Sequence, residues 1–398
     1  MSHKHLGSVD VPAFSNGGIL SLPEDAPQTL VEALQRAAQK DSKQGIVYIN
    51  SDGSENSQSY QDLLLDAQKI LAGLRKIGLK PQDKIILLLE CNQDFLVAFW
   101  GCILGGFVPV PVSVALTWQS KNTISKLQNV WQMLGRPLIL TDAKLAPSVR
   151  EWSQPLHLGK FAVETLEELR GFEPDINIYK SQPQDLAVLL LTSGSTGISK
   201  AVMQENSKLL SMSAGTIAMN QFSSQDVTLN WMPMDHVGAL VLMSIVPVYL
   251  GCQQIHVPTQ FILQNPLKWL DLIDRYQATI SWAPNFAFTL IADRVEKVTK
   301  QHWDLSSMKF FVNGGEAIIT KTARNFLKLL SSYGLSTKAI RPSFGMCETC
   351  SGITFSHSFS LESSSDEDKF VELGQPIAGA CLRIVDVNQQ VVLSLIHI

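Results

Sequence analysis

Leu189-Leu-Leu-Thr-Ser-Gly-Ser-Thr-Gly-Ile-Ser-Lys-Ala-Val202 decides the reading of this chain. Its leucines end an apolar strand, Leu186 to Leu191, which turns into small and hydroxylated residues closed by a lysine. Every residue type in that turn suits an anion. Gly194 and Gly197 free the backbone to aim its amides inward, Thr192, Ser193, Ser195 and Thr196 add hydroxyl donors, and Lys200 brings positive charge. It is not the Walker pattern, because two residues separate the glycines and Lys200 does not follow a glycine. A shorter piece would read as a surface turn; the whole run behind a buried strand predicts a loop for a triphosphate.

Working outward, strands and helices alternate. Thr29-Leu-Val-Glu32 has the form of a capping box, followed by Leu30, Leu34, Ala37 and Ala38 at helical spacing. Ile46 to Asn50 reads as a strand. Leu63, Leu64, Ala67, Ile70, Leu71, Leu74 and Ile77 mark one face of a helix that Gly78 can stop. Ile85 to Leu89 is an all-apolar strand, and Leu138 to Leu140, Leu186 to Leu191, Ile280 to Ala283 and Lys309 to Val312 continue the series. Such alternation predicts a layered α/β protein whose largely parallel sheets are covered on both faces. Leu361 to Lys369, rich in Ser and acidic residues, is the clearest loop, and Cys381 to Asp386 reads as a strand of a further, smaller module.

Composition excludes several classes. The 398 residues carry 32 Lys and Arg against 36 Asp and Glu, a net charge of −4 that disfavours nucleic acid or an anionic membrane as main partner. With 45% hydrophobic and 17% charged residues the chain can bury a sizeable core. Six scattered cysteines make no disulfide framework, and the start lacks an apolar export segment, so a cytoplasmic protein is the expectation. Phe95 to Trp118 is uncharged and long enough to span a bilayer. Yet Gly105, Gly106, Pro109 and Pro111 interrupt it, and Val108, Val110, Val112 and Val114 alternate, so a buried helix, a glycine turn and a strand are expected.

With these residues in place the chain resembles the adenylate-forming superfamily, which includes acyl-CoA synthetases, fatty acyl-AMP ligases and the adenylation domains of nonribosomal peptide synthetases. Thr192 to Gly197 and Lys200 match its phosphate loop, TSGSTGxPKG, with Ser199 in the proline position and Ala201 in that of the last glycine. Trp231-Met-Pro-Met-Asp-His236-Val-Gly238 is similar to PLYHDMG, which places His236, Val237 and Gly238 at the acyl pocket, although Asp235 and Val237 depart from the usual residues. Amino-acid-activating relatives carry an aspartate where His236 stands, so an acid lacking an α-amine is implied. Pro266 to Thr279 and Ala283-Pro-Asn-Phe-Ala-Phe288 resemble fatty acyl-AMP ligases in particular, adding Pro284, Asn285 and Phe286 to the acyl side. On composition alone Phe286 and Phe288 would be core aromatics.

The resemblance also assigns the nucleotide. Asn313, Gly314, Gly315 and Glu316 match the run that ends in NGAE or GGE and forms part of the adenine pocket. Ser343, Phe344, Gly345, Met346, Cys347 and Glu348 resemble the YGxTE segment, with Phe344 as stacking aromatic and Cys347 in place of a small residue. Thr196 and Glu348 are then the groups linked to Mg²⁺, a cation that takes few protein oxygens. Cys347 and Cys350 also form a C-x-x-C pair, but structural zinc wants four ligands and only His357 lies close in sequence.

The implied protein is a layered αβαβα domain that activates a fatty or aryl acid with ATP and Mg²⁺ and passes it to a phosphopantetheine thiol. The acceptor would be an acyl carrier protein, possibly in the same full-length chain. Free CoA as acceptor, and a nucleotide-binding module without turnover, are the alternatives. Lys200, Glu348 and His236 would be its catalytic groups. Residues 1–24 read as an extension and 25–392 as the adenylation domain with its last β-subdomain cut short. Leu393-Ser-Leu-Ile-His-Ile398 matches one translated frame of a sequencing-library transposon adaptor. That tail is therefore expected to be non-native, with the hinge and C-terminal lid domain lost and turnover impaired.

Overall fold

Successive residues of the apolar run at 85–88 enter two different cores, and that division sets the architecture of the computed structural model. It describes residues 12–40, 44–113, 121–152, 162–193, 199–294 and 301–392. Gly194 to Ile198, Val114, Trp118, the first eleven residues and the 393–398 tail lie outside these. The strands are β1 (Phe14–Asn16), β2 (Gly45–Ile49), β3 (Glu55–Ser59), β4 (Lys84–Leu88), β5 (Val108–Pro111), β6 (Leu138–Thr141) and β7 (Val163–Thr165). They continue with β8 (Leu186–Ser193), β9 (Ser199–Glu205), β10 (Val227–Asn230), β11 (Gln253–His256), β12 (Ile280–Ala283) and β13 (Phe310–Asn313). Last come β14 (Ile340–Met346), β15 (Ser351–Phe355), β16 (Gln375–Pro376) and β17 (Cys381–Arg383).

A parallel four-stranded sheet runs β5-β4-β6-β7, and a nine-stranded sheet runs β16-β15-β14-β13-β12-β10-β11-β2-β3. In the latter the strands from β14 to β2 are parallel, and the antiparallel β3, β15 and β16 finish its edges. Ile85 and Leu87 face the larger core, shared with helices α1 (Leu30–Gln39), α2 (Tyr60–Lys76) and α3 (Asn92–Gly105). Ile86 and Leu88 face a second core closed by Leu127, Val130 and Trp131 of the helix Lys121–Met133. A strand buried on both faces has no polar side to alternate with, hence the unbroken apolar run. The larger sheet is covered likewise: Phe311 packs on Trp269, Phe288 and Phe326 of three helices, while its neighbour Phe310 stacks on Phe222 across the sheet. Helices therefore lie outside each sheet and between the two, the expected αβαβα layering.

Local expectations fared unevenly. Thr29 Oγ1 accepts from Glu32 N as a cap, but Glu32 Oε2 accepts from Gln28 N at 2.6 Å, so the reciprocal half of the expected box is not formed. Complete boxes occur at Ser59 with Asp62 and at Thr165 with Glu168. On α2, Leu63, Ala67, Ile70, Leu71 and Leu74 are fully buried, whereas Ile77 is exposed because it sits past the last turn, where Gly78 adopts φ 96°. The described part of the uncharged stretch, to residue 113, contains α3, the left-handed Gly106 and β5. Among the described residues no helix is long and apolar enough to cross a membrane. Gly101 lets α3 close on α2, since a Cβ there would lie 2.7 Å from Ile70 Cβ.

The two ends of the described chain meet. β1, within the segment expected to be a separate extension, pairs antiparallel with β17 of the expected further module. Ser15 Oγ donates to Gln375 Oε1, and Gly17 N to the Ala380 carbonyl. The Ser-rich acidic loop is pinned as well: Arg324 bonds Leu361 O and Ser364, and with Lys328 it pairs Asp366.

Candidate active site

Four adjacent parallel strands, β14, β13, β12 and β10, end on the same side of the large sheet, and the segments that leave them carry nearly all the described candidate residues. In open α/β sheets the carboxyl ends of strands are where ligands bind, because there the chain leaves the ladder and exposes backbone groups.

From β10 the chain passes through Trp231 to His236 and winds into a π-helix, Gly238–Ile245. Asn230 fixes the exit by bonding both polar backbone groups of Met232. His236 is exposed, but one ring face lies against Trp282 of β12, with centroids 4.8 Å apart. Desolvation lowers its pKa below the usual imidazole value, partly opposed by the neighbouring Asp235. Gly238 N donates to His236 Nδ1 at 3.2 Å, which leaves the proton of the neutral ring on Nε2. Gly238 must be glycine, since a Cβ would sit 2.9 Å from the Trp282 indole. Asp235 accepts from Ser113 Oγ, just beyond β5, so one of its carboxylate oxygens links this loop to the smaller sheet.

β12 leads into Pro284, Asn285 and Phe286. Asn285 is buried and its Oδ1 accepts from Ile319 N at 3.1 Å, while Phe286 N donates to Glu316 Oε1 at 2.6 Å. Glu316 and Asn285 thus tie the exits of β12 and β13 to each other. Phe286 is 39% exposed beside Trp231, whereas Phe288 is fully buried in the aromatic cluster, so only the first reaches the site.

From β13 come Asn313, Gly314, Gly315 and Glu316. Gly314 is explained by β14, because a Cβ there would lie 2.6 Å from Ser343 Oγ and 2.8 Å from Ser343 O. Gly315, at φ 95°, turns the chain beside Trp282 and His236. Asn313 is wholly buried, yet neither side-chain amide atom has a partner. Such a group is costly unless something bonds it. That orphaned amide fits a nucleotide at these strand ends.

Ser343, Phe344, Gly345 and Met346 end β14, with Phe344 42% exposed as a stacking surface requires. A 3₁₀ turn, Cys347–Thr349, follows and presents Glu348 to solvent. Burial pushes the Cys347 thiol to about 11 and that of Cys350 to about 12, so both stay protonated. Cys350 donates to Gln204 Oε1 at 2.7 Å, and His357 lies against Arg341. Among the described residues no three His, Cys, Asp or Glu side chains gather as a metal cluster. A carboxylate such as Glu348 nevertheless suits Mg²⁺, which shares its remaining positions with phosphate and water.

Lys200 stands on a separate element. β8 and β9 form an antiparallel hairpin in which Thr192 stands opposite Lys200 and Ser193 opposite Ser199. Gly194, Ser195, Thr196 and Gly197 fall outside the described residues. Both strands of the hairpin pack against the turn that carries Glu348. Trp282, Ser113 and Gln204 were not among the residues predicted from sequence. Their partners lie far along the chain, and no local pattern marks them.

A family model described as AMP-binding enzyme matches residues 34–394. The atromentin synthetase of Tapinella panuoides is 31% identical over 373 residues, covering 91% of this chain and 39% of that protein. Among solved structures, McyG A-PCP complexed with phenylalanyl-adenylate is 46% identical, with a TM-score of 0.91 over 96% of this chain and 59% of that one. The adenylation domain of a keto acid-selecting NRPS module bound to keto acyl adenylate is 38% identical, with a TM-score of 0.91 over 96% of this chain and 73% of that one. The chain thus spans 39% of the length of the first of these relatives.

Proposed function

The chain belongs to the AMP-binding enzyme family, and we propose that it activates a carboxylic acid without a free α-ammonium group, forming acyl-AMP and pyrophosphate from ATP. A carboxylate oxygen attacks the α-phosphorus as the bond to pyrophosphate breaks. Protein groups mainly hold two anions in line and offset their charge. The backbone and hydroxyls of 192–197 with Lys200 cradle the phosphates, and the Asn313 amide with Phe344 holds the base. Bound by Glu348 and Thr196, Mg²⁺ supplies further neutralisation of phosphate charge. His236, neutral and with Nε2–H free, donates to the acid.

The observation that carries this reading is the pairing of Asp235 with Ser113 beside a His236 seated on Trp282. A substrate ammonium needs a carboxylate facing it; the residue seated on Trp282 is His236, while the Asp235 carboxylate reaches Ser113. The keto acid-selecting relative supports the same acid class. The acyl group then passes to a phosphopantetheine thiol on a carrier protein, a reading supported by the A-PCP relative. ATP–pyrophosphate exchange over fatty, aryl, 2-oxo and α-amino acids tests the proposal, using the chain together with any domains that follow it in its gene. Exchange with fatty, aryl or 2-oxo acids is expected; phenylalanine as the best substrate overturns the acid class. Transfer to free CoA as fast as to a carrier protein overturns the acceptor.

A further inference from the structure

We propose that Gln204 is a positioning residue that clamps the Glu348 turn onto the strand carrying Lys200, with the Cys350 thiol as its second anchor. This rests on the site reading above. Gln204 is 1% exposed on β9. Its amide is used at both ends: Nε2 donates to the Cys347 carbonyl, and Oε1 accepts from Cys350 Sγ at 2.7 Å. The two anchored residues flank Glu348, which remains exposed between them.

The turn needs such a clamp. Cys350 adopts φ 60°, a left-handed conformation that costs a side-chain-bearing residue, and Ser351 follows at φ 150°. The turn's own bonds are Cys350 N to Cys347 O at 3.0 Å and the Thr349 hydroxyl with Met346 N, Met346 O and Ser351 O, between the paired ends of β14 and β15. On β9, Gln204 and Lys200 fall on the same face by the two-residue period of a strand, about 13 Å apart along it. One amide therefore sets the distance between the phosphate-binding cation and the Mg²⁺-linked acid. It also gives the C-x-x-C pair a use other than metal or disulfide: one residue lends its carbonyl and the other its S–H.

The test measures ATP affinity by calorimetry across a Mg²⁺ titration, amide hydrogen exchange over residues 346–351, and the melting temperature, all on this chain. Gln204→Leu is expected to weaken Mg²⁺-dependent ATP binding about tenfold and to speed exchange in the turn, as loss of a bonded buried amide implies. Cys350→Ser, which keeps a donor, should lose less affinity than Cys350→Ala. Gln204→Leu combined with Cys350→Ala should stay within about twofold of Gln204→Leu alone, because contacting residues are not additive. A melting-temperature drop with unchanged Mg²⁺ dependence and turn exchange would make Gln204 merely structural and overturn the clamp. If Gln204→Leu does not fold, equal losses for Cys350→Ser and Cys350→Ala overturn it instead. Glu348→Gln separates the two readings: if it leaves Mg²⁺-dependent binding intact the site assignment fails, and if it weakens binding while Gln204→Leu does not, only the clamp fails.

Discussion

Gly238 N donates to Nδ1 of His236 across 3.2 Å, and this contact decides which ring nitrogen is left as a donor for the proposed acid. An acceptor Nδ1 requires the neutral ring, with the proton on Nε2. Replacing His236 by Ala removes that donor and leaves the polar groups assigned to the nucleotide in place, although Gly315 lies beside the ring. The acid's kcat/KM should fall about 10- to 100-fold, the scale of about 1.4 to 2.7 kcal/mol for a lost bond to a charged group, with ATP affinity unchanged. Pyrophosphate exchange measured against both substrates checks this.

The pH dependence of acid activation follows from the same ring. Its pKa is lowered first by burial, and Asp235 pulls it back up. Activity should therefore hold from alkaline pH down past neutrality and decline on the acid side with an apparent pKa below the free imidazole value of about 6.5. Asp235→Asn removes the opposing charge and should move that limb further toward acid. A pH profile of kcat/KM for the two proteins, with the limb shifting the other way, would contradict the assignment.

Gly314 and Gly238 predict two separable losses. A methyl at Gly314 would meet Ser343 Oγ at 2.6 Å and its backbone oxygen at 2.8 Å, so β13 and β14 must part at the nucleotide side. A methyl at Gly238 would instead press on Trp282 under His236 at 2.9 Å. Overpacking of this kind costs about 1–3 kcal/mol. Gly314→Ala should mainly weaken ATP binding and Gly238→Ala mainly acid use, and KM values for the two substrates read the division directly.

What could be read from sequence was what nearby residues determine. β4 and β12 were legible because a strand buried on both faces is mostly apolar, and the strand-end segments were legible because their glycines and polar residues cluster within a few positions. β3 was missed because Glu55 to Ser59 is a polar edge strand with no apolar alternation. β10 and β11 were missed for the opposite reason: Thr228, Asn230, Gln254 and His256 are buried polar residues that look like loop. Gln204 and Ser113 act on partners 143 to 146 and 122 positions away, so no local spacing betrays them.

His256 turns that illegible polar interior into a measurement. It is fully buried, and its Nε2 lies 2.9 Å from Gln254 Oε1. Gln254 Nε2 donates to Tyr60 OH, which in turn donates to the Cys252 carbonyl at 2.5 Å. Because the Gln254 amide nitrogen is spent on Tyr60, its oxygen must accept, so His256 carries a proton on Nε2, and its Nδ1, facing the Asn230 amide nitrogen at 3.5 Å, suits a neutral ring. Burial lowers its pKa to about 3. The folded value lies below the unfolded one, so the unfolded chain binds the proton first as pH falls. The stabilising difference is present above about pH 6.5 and is lost progressively down to about 3. Between pH 7.5 and 5 this one group should cost about 2 kcal/mol of stability. His256→Gln keeps a donor at that end and removes the titration. Urea unfolding of both proteins at the two pH values should therefore show a smaller acid penalty for the variant by about that amount, despite its lower stability at pH 7.5. Equal acid penalties would mean that His256 already carries a second proton in the folded protein, against its full burial and the Asn230 amide nitrogen that faces Nδ1.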